Sequence, residues 1–316
     1  MTTAADVSRT EAWLMAARPQ TLPAGAAPVV LGAALAFYEG VLAPVPALAA
    51  LLGALLIQVG TNFANDYYDA VKGTDTADRE GFTRVTAGGL IEPRRVKHAM
   101  AATYGLAVVV GLYLVYVGGV PILLVGLSSI VAGILYTGGP YPYGYYGLGD
   151  FFVFLYFGVI AVTGTYYVQA VTEVAGAFPL WVPDGTVTLP AVVAGLGAAG
   201  LSTNILVVNN IRDLESDREA GKRTLAVMLG YRWSRAEYVG LLALSYAVPA
   251  VLWLGFGYPL TTLLPLVSLP LAVPVVRTIM TRTDGDALNP ALEQTGKVFA
   301  IYAVLFAAGL TLAGVV

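Results

Sequence analysis

Asn204-Ile-Leu-Val-Val-Asn209-Asn-Ile-Arg212-Asp213-Leu-Glu-Ser-Asp217-Arg-Glu-Ala-Gly-Lys222-Arg223-Thr224 closes a strongly apolar segment, and its side chains Asn209, Asp213 and Asp217 arrive four residues apart. That spacing places all three on one face of a helix. An earlier apolar segment ends in the same manner, with Thr61, Asn62, Asn65, Asp66 and Asp69, so Asn65 and Asp69 repeat the spacing of Asn209 and Asp213. Two carboxylate-bearing helix ends suggest one shared divalent-metal site.

The chain around these two ends is far too apolar for an ordinary soluble domain: 57% of its 316 residues are hydrophobic and 12% charged, with a mean hydropathy of +0.73. It reads as one all-α, polytopic membrane domain, residues 1–316. A spanning helix needs about 20 mainly apolar residues, and nine candidates fall near 21–38, 46–66, 97–117, 120–137, 149–168, 190–210, 236–256, 258–277 and 297–316. The polar, mixed-charge start (Asp6, Arg9, Glu11) does not resemble a cleavable signal peptide, so the first span is expected to be retained. With no cysteine, disulfides, thiolate metal ligands and thiol nucleophiles are excluded.

Charge placement orients the bundle. Under the nine-span count all 17 Lys and Arg fall in the N-terminal arm, in the connections after the second, sixth and eighth spans, or at the adjoining helix ends, all on one side. The positive-inside rule makes that side cytoplasmic, with the N-terminus inside and the C-terminus outside, in the cell membrane. Both carboxylate clusters then face the cytoplasm, beneath cap loops expected over 70–96 and 211–235 and beside an arm over 1–20. The 70–96 loop is long for a membrane connection and reads as a lid; it carries Arg84 and a Thr86-Ala-Gly-Gly-Leu90 segment whose bare backbone can approach a ligand. A third connection, Tyr136 to Asp150, holds many tyrosines and no Lys or Arg, and Tyr136 is expected to line a pocket there. His98, the sole histidine, reads as a wet helix end.

Carboxylates near membrane depth are costly and imply a site. Asp66, Asp69, Asp213 and Asp217 cannot all stay ionised near one another without cations, and hard oxygens with amide neighbours suit Mg²⁺, which completes its shell with water and substrate phosphates. Lys222, Arg223, Arg212 and Arg84 would supply the remaining positive charge. A metal-held diphosphate at a membrane face, with an apolar interior beyond, implies a lipid diphosphate substrate. The same residue set leaves open a cation or phosphate transporter; a nucleic-acid partner is not expected.

Asn65-Asp66-Tyr67-Tyr68-Asp69 and Asn209 to Asp217 resemble the two aspartate-rich motifs of the UbiA superfamily of intramembrane prenyltransferases, and nine helices fit that family. Within it, Arg18-Pro-Gln-Thr-Leu-Pro-Ala24, Thr86 to Leu90 and Gly221-Lys-Arg-Thr-Leu-Ala-Val227 look like the 1,4-dihydroxy-2-naphthoate polyprenyltransferase branch of menaquinone biosynthesis. The resemblance implies Mg²⁺-dependent transfer of a polyprenyl group from its diphosphate to 1,4-dihydroxy-2-naphthoate, with loss of CO2 and diphosphate, in contact with membrane lipid. It implies Asp66, Asp69, Asp213 and Asp217 as metal-binding and catalytic residues, with Asn62, Asn65, Arg84, Tyr136, Asn209, Lys222 and Arg223 around the substrates. Other acceptors of the same chemistry are 4-hydroxybenzoate and a glycerol-phosphate ether lipid. Two departures stand out: Gly73 occupies a position where many members carry another Asp, for which Asp75 or Asp78 could substitute, and the Tyr136–Asp150 loop lacks the customary basic residue.

Overall fold

The computed structural model describes residues 7–73 and 84–314. Among them the regular structure is all helical, in the order α1 (Arg9–Ala17), α2 (Leu22–Tyr38), α3 (Pro44–Lys72), α4 (Pro93–Leu135), α5 (Gly149–Phe154), α6 (Ala161–Val174), α7 (Leu189–Arg212), α8 (Leu214–Glu219), α9 (Leu225–Phe256), α10 (Leu269–Thr281) and α11 (Gly285–Gly314). A π-helical turn over Leu155–Ile160 joins α5 to α6, and a 3₁₀ segment over Leu260–Ser268 leads into α10. Local signals set the ends. Ser8 and Glu11 form a reciprocal capping box on α1, α3 and α4 open on proline, and Gly73, in the left-handed region at φ 68°, stops α3. The departure at Gly73 is therefore a helix terminator, and Asp75 and Asp78 lie outside the described residues.

Eight helical stretches among the described residues are long and apolar enough to cross a membrane, against the nine expected. The difference lies in one place: the expected spans 97–117 and 120–137 share the continuous helical run of α4, which Gly119 breaks with non-helical torsions (φ 63°, ψ −150°). The run doubles back there. A β-carbon at Gly133 would lie 2.7 Å from the Tyr104 hydroxyl, whereas 29 residues of straight helix would separate the two by about 44 Å. Gly119 is required at this corner because a β-carbon would sit 1.8 Å from the Pro179 carbonyl oxygen, which accepts the Val120 N–H at 3.0 Å.

The centre of the bundle is α7, with 78% of its apolar window buried against 11% for α4. Its sequence explains this, since Ala194, Gly195, Ala198 and Ala199 let neighbouring backbones come close. Gly158, in the π-helical turn, packs directly on Ala199. Within the apolar core, hydrogen bonds between helices hold the register: Asn204 donates to the Tyr238 carbonyl at 3.1 Å, and the Tyr302 hydroxyl donates to the Ser245 carbonyl at 2.9 Å. The C-terminal ends of α3 and α7 emerge from this packing on the same side.

Candidate active site

The four aspartates of the two helix ends are each no more than 5% exposed, so each requires a partner. At the end of α3, Asp66 Oδ2 accepts the backbone N–H of Thr86 at 3.2 Å and also the Thr86 hydroxyl. Asp69 accepts the Tyr145 hydroxyl on Oδ1 and meets Arg84 Nη2 on Oδ2 at 3.3 Å. Asn65, one turn earlier, accepts the Thr137 hydroxyl at 3.0 Å. Segments distant in sequence thus reach this cluster, with Arg84 and several neutral donors among the described contacts.

At the end of α7 the partners are close in sequence and cationic. The Arg212 guanidinium grips Asp213 with two bonds, Nε to Oδ1 at 2.7 Å and Nη2 to Oδ2 at 2.8 Å. It also donates to Asn209 Oδ1 at 2.7 Å and to Asn289 Oδ1 on α11 at 2.8 Å. Asp217 pairs with Lys222 at 3.6 Å, both side chains being 7% exposed.

Tyr145 is where the two ends meet. Its hydroxyl is on Asp69, its ring carries Lys222 Nζ at 4.9 Å and Lys72 Nζ at 5.4 Å from the centroid, and its carbonyl accepts the Arg223 N–H at 2.7 Å. Lys72 in turn donates to the carbonyls of Thr137 and Gly139 at 2.6 and 3.0 Å, pinning the tyrosine-rich loop to α3. Burial holds the Tyr136 phenol well above its ordinary pKa, and the nearby carboxylates of Asp150, Asp217 and Asp69 push the same way, so Tyr136 stays protonated between the two clusters.

Beneath this polar roof lies a cavity of about 410 Å³ whose lining is mainly apolar. Asn62, Asn65, Asp69, Arg84, Tyr136 and Asn209 line it. Asp66, Asp213, Asp217 and Lys222 are buried beside it, and the Arg223 side chain is exposed. Asn62 is committed to a tether, donating to the Ala17 carbonyl at 2.8 Å and the Thr21 hydroxyl at 2.9 Å, which fastens the α1–α2 corner to α3. The rings of Tyr136, Tyr143, Phe152 and Tyr156 follow one another along one wall, with successive centroids 5.4, 4.2 and 6.1 Å apart.

Sequence reasoning did not single out Thr86, Tyr145, Thr137 or Gln58 as site residues. Tyr145, Thr137 and Thr86 sat inside stretches already marked as candidates to line a pocket or approach a ligand, while nothing local distinguishes Gln58. The donor set of carboxylate and amide oxygens, with Arg84 and Lys222 beside it, fits a divalent ion that arrives with a diphosphate. No three acidic or histidine side chains among the described residues converge on a single point.

The model of the UbiA prenyltransferase family matches residues 26–297. A 1,4-dihydroxy-2-naphthoate octaprenyltransferase of Escherichia coli (strain K12) is 40% identical over 312 residues, covering 97% of this chain and 97% of the relative. Among solved structures, an apo UbiA homolog from Aeropyrum pernix K1 superposes with a TM-score of 0.68 at 14% identity over 93% of this chain and 97% of that one. A UbiA homolog from Archaeoglobus fulgidus bound to DMAPP and Mg²⁺ gives 0.57 at 15% identity over 95% and 99%.

Proposed function

Because the chain belongs to the UbiA prenyltransferase family, we propose that it transfers a polyprenyl group from an allylic diphosphate to 1,4-dihydroxy-2-naphthoate, releasing CO2 and diphosphate and giving a demethylmenaquinol. The observation that carries this reading is the meeting of two carboxylate-bearing helix ends over Tyr145, at the mouth of an apolar cavity. The family supplies the reaction class. The acceptor follows the Escherichia coli relative, whose likeness runs nearly the full length of both chains.

Mg²⁺ would be held by Asp66, Asp69, Asp213 and Asp217, directly or through water, and would neutralise the diphosphate as the allylic C–O bond breaks. Asn65 and Asn209 support those carboxylates. Arg84, Lys222 and Arg223 bind the diphosphate oxygens from the side of the cap loops. The isoprenoid tail lies along the apolar cavity, and the aromatic wall from Tyr136 to Tyr156 shields the allylic carbon from water while its ring faces favour positive charge there. An electron-rich carbon of the naphthoate then forms the new C–C bond, and the carboxylate departs as CO2, its bonding pair restoring the aromatic ring. No protein nucleophile is needed. The clusters face the cytoplasm of the cell membrane, in keeping with the one-sided placement of Lys and Arg.

Purified protein incubated with Mg²⁺, a polyprenyl diphosphate and 1,4-dihydroxy-2-naphthoate should yield a prenylated naphthoquinol by mass spectrometry, with diphosphate released and both abolished by EDTA. Diphosphate release without that product would overturn the acceptor. No release with any chain length would overturn the transferase reading.

A further inference from the structure

Gln58 lies on α3 four residues before Asn62 and eight before Asp66, about 12 Å further along the helix from the carboxylate cluster. Its side chain is buried, at 7% exposed, and it lines the cavity. Its orientation is determined by neighbours. Asn62 gives its N–H groups to Ala17 and Thr21, which turns Asn62 Oδ1 toward Gln58, so the Gln58 amide nitrogen faces it at 3.5 Å and reaches the Thr21 hydroxyl at 3.0 Å. Gln58 Oε1 then points away from both. It is a buried acceptor with no hydrogen-bond partner among the described residues. An acceptor in that state costs stability until something donates to it.

The substrates differ in what they can donate. An isoprenoid tail carries no polar hydrogen, and an ionised diphosphate or carboxylate only accepts. A ring hydroxyl donates. The Thr21 hydroxyl that receives Gln58 donates in turn to the Arg18 carbonyl at 2.9 Å, and Arg18, held in the left-handed region at φ 51°, also lines the cavity. A non-glycine residue keeps such a conformation only where its surroundings enforce it. A hydrogen-bond acceptor and a guanidinium on one hydrogen-bonded corner match an aromatic ring bearing a hydroxyl and a carboxylate.

We infer that Gln58, Thr21 and Arg18 form the subsite for the aromatic acceptor: Gln58 Oε1 accepts a ring hydroxyl, and the Arg18 guanidinium pairs with the carboxylate. This rests on the proposed transferase function. Accepting the hydroxyl hydrogen leaves the ring richer in electrons at the carbon that attacks. Loss of CO2 then removes the group that Arg18 holds, so the neutral product is bound less tightly than the substrate.

Steady-state kinetics of the full-length enzyme with 1,4-dihydroxy-2-naphthoate and its two mono-O-methyl ethers tests the assignment. In the wild type, one ether should lose roughly 10- to 100-fold in kcat/KM, because it leaves the Gln58 acceptor unpaired. In Gln58→Leu, the parent acceptor should lose a comparable factor, the penalty for that ether should vanish, and KM for the prenyl diphosphate should stay within about twofold. The ether comparison on the wild type stands even if the variant fails to fold. Equal use of both ethers by the wild type, or a Gln58→Leu effect confined to the diphosphate KM, overturns the subsite while leaving the function intact. A wild type that makes no prenylated naphthoquinol overturns the function and the subsite together.

Discussion

The two aspartate-bearing helix ends share a spacing but not an electrostatic design. Just past the end of α7, Asp213 pairs with Arg212 and Asp217, in α8, pairs with Lys222, both cations close by in sequence. On α3, the contacts among the described residues are Arg84 on Asp69, the Thr86 and Tyr145 hydroxyls and one backbone N–H, with Lys72 interacting with Asp69 through charge. Asp69 also lines the cavity, whereas Asp213, buried against Arg212, is not part of its lining. The α3 end therefore presents a carboxylate directly to the cavity and takes its partners from distant segments. The α7 end brings its own counter-ions and is the more rigid partner.

Substitutions can break this asymmetry. The largest effect is expected for Asp69→Ala or Asp66→Ala, with turnover lost while the protein still elutes as a single folded species in detergent; Asp213→Ala should also abolish turnover. Near-normal rates in any of the three would remove that residue from the metal assignment. Arg212→Ala should be the most destabilising change at either end, by about 3–5 kcal/mol, because it strands the buried Asp213 carboxylate. Thermal unfolding in detergent would register this as a fall well beyond that of Arg84→Ala. Arg84→Ala, by contrast, should act on binding, raising KM for the prenyl diphosphate roughly 10-fold or more with a smaller change in melting temperature. Equal melting shifts in the two arginine variants would contradict the asymmetry.

A smaller effect sharpens the comparison at its meeting point. Tyr145→Phe keeps the ring that carries Lys222 and Lys72 but deletes the hydroxyl on Asp69. Titration of the protein alone with Mn²⁺, followed by electron paramagnetic resonance, should show binding changed by no more than about 10-fold. Tyr145→Leu also removes the platform for the two ammonium groups and should raise the diphosphate KM above that of Tyr145→Phe. Identical kinetics in the two variants would mean that the ring has no part in holding Lys222.

Much of the fold was legible because it depends on composition along the chain. Runs of about 20 apolar residues must be helical in a bilayer, where every backbone group needs an internal partner, and the spacing of Asn65/Asp69 and Asn209/Asp213 is visible in the letters alone. The division of α4 was legible too, as the gap between the expected spans 97–117 and 120–137; its cause was not, since nothing in the letters shows the Pro179 carbonyl packed against Gly119. The Thr86-Ala-Gly-Gly-Leu90 segment was expected to bring its bare backbone to a ligand; in the structure Thr86, through its N–H and hydroxyl, reaches Asp66.

The sequence by itself determined an all-helical membrane protein, the helix ends that bear carboxylates and the chemistry those residue types permit, because hydropathy and helical periodicity are local properties. Only the tertiary structure decided which carboxylate each cation serves, that Asn62 is a tether, that Tyr145 joins the two ends, and that the buried Gln58 oxygen has no partner among the described residues. Those facts depend on which distant segments come within about 3 Å of one another, and hydrogen bonds and ion pairs act only at that range.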